Sequence, residues 1–134
     1  MSNWAATGGN LALLSTEIGT RNSLRAAESI VVLEEIGEEI YRVDRMLTQL
    51  RRAGWFDGVA GVAVGQFTDC AGEGPTTPDV LAERLGDLGV PVLGGLPIGH
   101  GAQQTAVGLG VAAVLDADAG TLVVQPVGTS NSSY

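Results

Sequence analysis

The stretch Ser29-Ile30-Val31-Val32-Leu33-Glu34-Glu35-Ile36-Gly37-Glu38-Glu39, leading into Tyr41-Arg42-Val43-Asp44-Arg45-Met46-Leu47, decides how this chain is read. Ile30 to Leu33 are consecutive aliphatics, three of them β-branched. Such a run is expected of a strand buried on both faces, and it predicts a strand over 29–33 that stops at the acidic segment. From Tyr41 the period changes. Val43, Met46, Leu47 and Leu50 stand at i, i+3, i+4 and i+7, one apolar stripe of a helix over 41–53. Arg42, Arg45 and Arg51 lie largely off that stripe. Gly54 suits the residue just past a helix, and Arg51 and Arg52 suit the negative end of the helix dipole. Glu38 and Glu39 precede the helix, where negative charge is favoured.

Outward from this strand–helix pair the pattern repeats. Upstream, residues 1–9 are polar and Gly-rich and read as a lead-in, with a short helix over 11–18 stopped by Gly19. Downstream, residues 59–67 read as a Gly-rich strand. Thr77-Pro78-Asp79 then opens a second long helix with a cap, a proline at the first helical position and an acid in the first turn. That helix is expected to reach Leu88, with Leu81, Leu85 and Leu88 inward. A short strand over 90–93 and a turn-rich loop over 94–101 follow. Residues 107–115 and 121–125 flank Asp116-Ala117-Asp118-Ala119-Gly120 as a hairpin, with Gly120 free to take positive φ. The Ser/Asn-rich residues 127–134 are expected to fray. The order is that of an α/β domain, a small mixed sheet with packed helices, in one unit over 1–134 with its ordered core over about 8–125.

Composition narrows the function classes. Hydrophobic residues make up 45% of the 134 residues, enough for a packed core and against wholesale disorder. The net charge is −8 and all seven basic residues are arginine. Clustered positive charge is what nucleic-acid binding needs, so this balance argues against such a partner. The uncharged stretch 88–115 is broken by Pro91, Pro97, His100 and many glycines, which argues against a membrane span. The beginning of the chain shows neither a basic n-region nor a long apolar run, so a cytoplasmic location is expected. One cysteine, Cys70, excludes an internal disulfide and a multi-cysteine zinc site. Gly8-Gly9 and Gly94-Gly95 read as turn glycines, since neither pair sits in a phosphate-binding loop. No cofactor and no metal are expected.

Two residues carry chemistry. Glu34 stands where a buried aliphatic run ends, and reactive side chains often project from the C-terminal edge of strands in α/β sheets. His100, the only histidine, lies between Gly99 and Gly101, whose lack of side chains permits close backbone approach. A carboxylate that accepts from one ring nitrogen fixes the tautomer and leaves the other nitrogen to take a proton from a nucleophile. The competing interpretations are a structural loop histidine and an acidic cluster that is merely solvated. Glu35 is the fallback for the acid. Cys70 reads as a small buried or loop residue rather than a nucleophile. No G-x-S-x-G elbow is present, so the chain holds a base and its orienter without a nucleophile.

Gly8-Gly9-Asn10-Leu11, the stretch 30–47, residues 54–67 with Thr68-Asp69-Cys70, and Leu96-Pro97-Ile98-Gly99-His100-Gly101 occur in the order found in the C-terminal domain of LD-carboxypeptidases. The chain resembles that serine-peptidase family, which includes microcin-immunity peptidases, over about residues 8–125. Gly108 stands where the family usually has a proline. The resemblance implies a swivelling β/β/α domain and a Ser-His-Glu triad with Glu34 as the carboxylate and His100 as the general base. The serine is expected on a separate N-terminal domain absent from this chain, which leaves the isolated chain inactive. The implied substrate is the L,D bond of muropeptides, in cytoplasmic murein recycling; the alternatives are peptidyl or aminoacyl nucleotides, or a non-catalytic dimerising or ligand-binding module. The family also suggests a homodimer.

Overall fold

The computed structural model describes residues 4–102 and 104–126. Among these residues six strands form one sheet, β1 (Trp4–Asn10), β2 (Ser29–Ile36), β3 (Gly61–Thr68), β4 (Val92–Leu93), β5 (Ala112–Asp116) and β6 (Thr121–Val124), in the order β4-β3-β2-β1-β5-β6. β1 to β4 run parallel, and β5 and β6 add antiparallel to the β1 side. Helices α1 (Leu11–Thr16), α2 (Ile40–Arg52) and α3 (Thr77–Leu85) are the crossovers between successive parallel strands, as parallel pairing requires. The architecture is the mixed α/β one expected from the element order.

Alternation along the strands divides the core in two. Val31, Leu33, Val62 and Val64 join Leu11, Leu14, Val43, Leu47, Leu50, Val80 and Leu85 on the helix-covered face. Ile30, Val32, Ala6, Ala63 and Ala113 form the other face, under Leu96, Ile98, Val107, Leu115 and Leu122. Small residues there let the chain fold closely over the sheet. A Cβ at Gly61 would come 2.9 Å from Leu115 of β5, so the sheet curls enough for β5 to reach over β3.

α2 is the helix that the apolar stripe predicts, with Ile40, Val43, Met46, Leu47 and Leu50 buried and Gly54 at φ 72° just past its end. Its N-cap, Glu39, makes no side-chain capping bond, so the dipole alone is served there. Glu38 instead meets Arg42 at 3.7 Å. The hairpin forms with Asp116 facing Thr121 and Gly120 at φ 70°.

Several expectations need correction. Of the expected lead-in over 1–9, residues 4–9 belong instead to β1 (Trp4–Asn10), a central strand paired with both β2 and β5, and residues 1–3 lie outside the described residues. Gly8 and Gly9 are therefore strand residues rather than turn glycines; a side chain at Gly8 would run into the backbone of Val32. β2 continues through the two glutamates to Ile36 instead of stopping at Leu33. The α3 cap is Thr76, not Thr77: Thr76 Oγ1 accepts from Asp79 N and Asp79 Oδ2 accepts from Thr76 N, a reciprocal box. α3 ends at Leu85, and Gly86–Leu88 form a separate 3-10 turn. Val80 and Leu85 are buried, whereas Leu81 and Leu88 are only partly so. The expected fraying of residues 127–134 lies outside the described residues.

Candidate active site

Glu34 and Glu35 occupy adjacent positions near the C-terminal end of β2 and so point to opposite faces of the sheet. Glu35 follows Leu33 onto the helix face, where it is 2% exposed. Its Oε1 accepts from Asn10 Nδ2 at 2.8 Å and from Ile36 N at 2.9 Å, and its Oε2 accepts from Ala12 N at 2.7 Å. Asn10 Oδ1 in turn accepts from Leu13 N, capping α1. Glu35 thus accepts from the Ala12 and Ile36 amides and from the Asn10 carboxamide, tying the start of α1 to the end of β2.

Glu34 follows Ile30 and Val32 onto the other face. Its Oε2 lies 2.9 Å from His100 Nδ1. The carboxylate side chain is 12% exposed and the imidazole 51% exposed, so the acid is sheltered and the ring is open to solvent. With Nδ1 occupied by the carboxylate, Nε2 is the ring nitrogen left to exchange a proton with another group.

The loop that carries His100 is hung on β3. Leu96 N donates to Val64 O, Gln66 N donates to Ile98 O at 2.8 Å, and Thr105 N closes the loop on Pro97 O at 2.7 Å. Gly65 is required where Ile98 crosses it, since a Cβ there would sit 2.5 Å from Ile98 O. Gly99 lies directly over Glu34: its φ is 117°, and a Cβ would come 2.9 Å from Glu34 Cβ. Beyond the histidine, Gly101 N donates to Gln66 Oε1 at 2.7 Å. The flanking glycines therefore serve contact as well as turning. Gln66 gave no local sequence signal, because its role depends on which loop crosses the strand.

A cleft of about 710 Å³ opens beside this loop, between the second half of β3, the start of α3 and Gly94-Gly95. Gln66 and Gly101 line it, together with Phe67, Pro78 and Leu81, and no charged residue does. Cys70 lies past the end of β3, half-buried, with Sγ 3.5 Å from Thr68 O. Burial pushes its thiol up, with the Glu35 and Glu38 carboxylates adding to the effect, although the Glu38 backbone hydrogen bond opposes it. That disfavours the thiolate a nucleophile needs. Among the described residues no three His, Cys, Asp or Glu side chains are grouped to hold a metal ion. No helix among them is long and apolar enough to cross a membrane.

The mixed α/β sheet thus presents a carboxylate-held imidazole near the C-terminal ends of its parallel strands, an arrangement able to exchange a proton through Nε2. The chain belongs to the LD-carboxypeptidase C-terminal domain family, whose model matches residues 5–115. A Streptomyces coelicolor protein that carries a carboxypeptidase name is 48% identical over 118 residues, covering 87% of this chain and 38% of that protein. The murein tetrapeptide carboxypeptidase of Pseudomonas aeruginosa is 38% identical over 115 residues, covering 84% and 38%. Among solved structures, muramoyltetrapeptide carboxypeptidase from Oxalobacter formigenes superposes with a TM-score of 0.79 at 29% identity, over 90% of this chain and 44% of that one. The microcin C7 self-immunity protein MccF, complexed with glutamyl sulfamoyl guanosine, gives 0.79 at 27% identity over 92% and 38%. The chain spans about two fifths of the length of the curated relatives it matches. The family is one of carboxypeptidases, hydrolases of peptide bonds, and the relatives' names include murein peptides as substrates.

Proposed function

We propose that this chain is the Glu34/His100-bearing domain of a serine-type LD-carboxypeptidase that cleaves the L,D bond of muropeptides in cytoplasmic murein recycling. The serine would come from an N-terminal domain, and the 134 residues alone would be inactive. The observation that carries this reading is the 2.9 Å contact of His100 Nδ1 with the sheltered Glu34 carboxylate, beneath a half-exposed ring. In the reaction, Nε2 accepts the serine hydroxyl proton as the oxygen attacks the scissile carbonyl. The same proton then passes to the leaving amine of the terminal D-residue. Water repeats the sequence on the acyl-enzyme, with Glu34 stabilising the imidazolium throughout. The stabilising donors for the tetrahedral oxyanion would lie with the serine.

A second reading, hydrolysis of peptidyl or aminoacyl nucleotides, is supported by the equal TM-score of MccF. The relatives nearer in sequence carry carboxypeptidase names, which favours muropeptides. The test is to assay the isolated chain and the chain joined to a serine-bearing N-terminal domain on a muropeptide tetrapeptide and on an aminoacyl sulfamoyl nucleotide. D-alanine release by the joined protein alone is expected. Release by the isolated chain at the same rate contradicts the division of the triad, and cleavage of the nucleotide alone would favour the second reading.

A further inference from the structure

β3 does not run evenly beside β2. Leu33 pairs with Val64 but Glu35 pairs with Phe67, so two steps on β2 are matched by three on β3. Such a bulge bends the strand and re-aims a side chain, and bulges gather near functional sites. Here Val64 and Phe67 both pack on the helix-covered core, and the surplus residue falls at Gly65-Gln66. Gly65 gives way to Ile98, and the Gln66 carboxamide meets the backbone of the His100 loop.

The loop before His100 is tied to the sheet by two backbone hydrogen bonds, Leu96 N to Val64 O and Gln66 N to Ile98 O. Immediately after His100 the tie among the described residues is a side chain, Gln66 Oε1 accepting from Gly101 N. The fit is close: a Cβ at Gly101 would overlap the carboxamide. His100 is thus suspended between Gly99, which rests on Glu34, and Gly101, which rests on Gln66.

We infer that Gln66 is a positioning residue for the imidazole: its bulge-directed side-chain carbonyl grips the backbone beyond His100 and keeps Nδ1 on Glu34. The inference rests on His100 being the general base, but its geometry can be read without turnover. Gln66 also lines the 710 Å³ cleft, so a group bound there would lie against the residue that sets the ring.

His100 is the only histidine, so histidine-selective ¹⁵N labelling of the 134-residue protein gives one imidazole. The wild type is expected to hold the Nδ1–H tautomer, and its Gly101 amide to exchange at least about tenfold more slowly than in the unfolded chain. In Gln66→Met, similar in length but without an acceptor, the tautomers should mix and the Gly101 protection should disappear with the circular dichroism unchanged. Gln66→Glu, which keeps an acceptor oxygen, should restore both. In the joined enzyme Gln66→Met should lower kcat about tenfold or more with KM kept. A Gln66→Met protein that keeps the wild-type tautomer and Gly101 protection overturns the proposal. Should that variant fail to fold, an unprotected Gly101 amide in the wild type overturns it equally. Absence of muropeptide hydrolysis would instead count against the proposed function and leave these readouts standing.

Discussion

The two faces of the sheet are built by different means. On one, α1 to α3 lay Leu11, Leu47, Leu50 and Leu85 against Val31, Leu33 and Val62, large side chains with essentially no exposure. On the other, Ala6, Ala63, Ala113 and several glycines make room for a loop that crosses at backbone distance. Apolar area removed from water scales with side-chain size, so the helix face supplies most of the stabilisation. The loop face supplies access: a sheltered carboxylate under an exposed ring. Glu34 and Glu35 make the contrast within two residues. One carboxylate accepts three hydrogen bonds and holds a helix in place, while its neighbour has a histidine as its partner.

Substitutions should separate the faces. The largest effect belongs to the loop face. In the joined enzyme, His100→Ala should lower kcat by about 10³-fold or more, and Glu34→Ala by less but still strongly, with KM largely kept. Steady-state kinetics on a muropeptide tetrapeptide checks this, and an unchanged kcat in both variants removes the triad assignment. Leu47→Ala, on the helix face, should lower unfolding free energy by about 2–5 kcal/mol through the cavity it leaves, as read by denaturant titration, while His100 keeps its tautomer.

Glu35→Ala comes next. It strands the Asn10 side chain and the Ala12 amide, and should cost about 1–3 kcal/mol with the Glu34–His100 contact retained. The smallest effect is electrostatic. Arg84, bonded to Asp44 at 2.5 Å, holds the Asp44 carboxyl below the usual carboxylate range. A lowered folded-state pKa stabilises above the unfolded value, near 3.9, and that contribution fades as pH falls through the lowered one. Both side chains are more than a third exposed, at 36% and 38%, so solvent screening keeps it below about 1 kcal/mol. Asp44→Asn should flatten stability against pH slightly on the acid side and leave it unchanged in shape near neutrality. An equally steep acid limb in the variant would show that this pair adds nothing to stability at acid pH.

What the sequence disclosed follows the same division. The helix face announces itself, because Val43, Met46, Leu47 and Leu50 repeat at a helical period and Ile30 to Leu33 can only be buried. β1 does not: Trp-Ala-Ala-Thr-Gly-Gly-Asn lacks a β-branched run, and it forms a strand because β2 and β5 flank it and Val32 leaves no space beside Gly8. Local pattern likewise marks an acid at the end of the aliphatic run and a histidine between glycines. The choice between Glu34 and Glu35 needs to know which face the loop covers, and that is fixed 66 residues away by His100. Gln66 is less legible still, because the β3 bulge arises only from pairing with β2.

Glu34, and not Glu35, holds the imidazole. The most direct measurement is the ¹⁵N spectrum of the single histidine in the wild type, Glu34→Ala and Glu35→Ala. An Nδ1–H tautomer lost in Glu34→Ala and kept in folded Glu35→Ala is the predicted result. The same tautomer surviving in Glu34→Ala would contradict it.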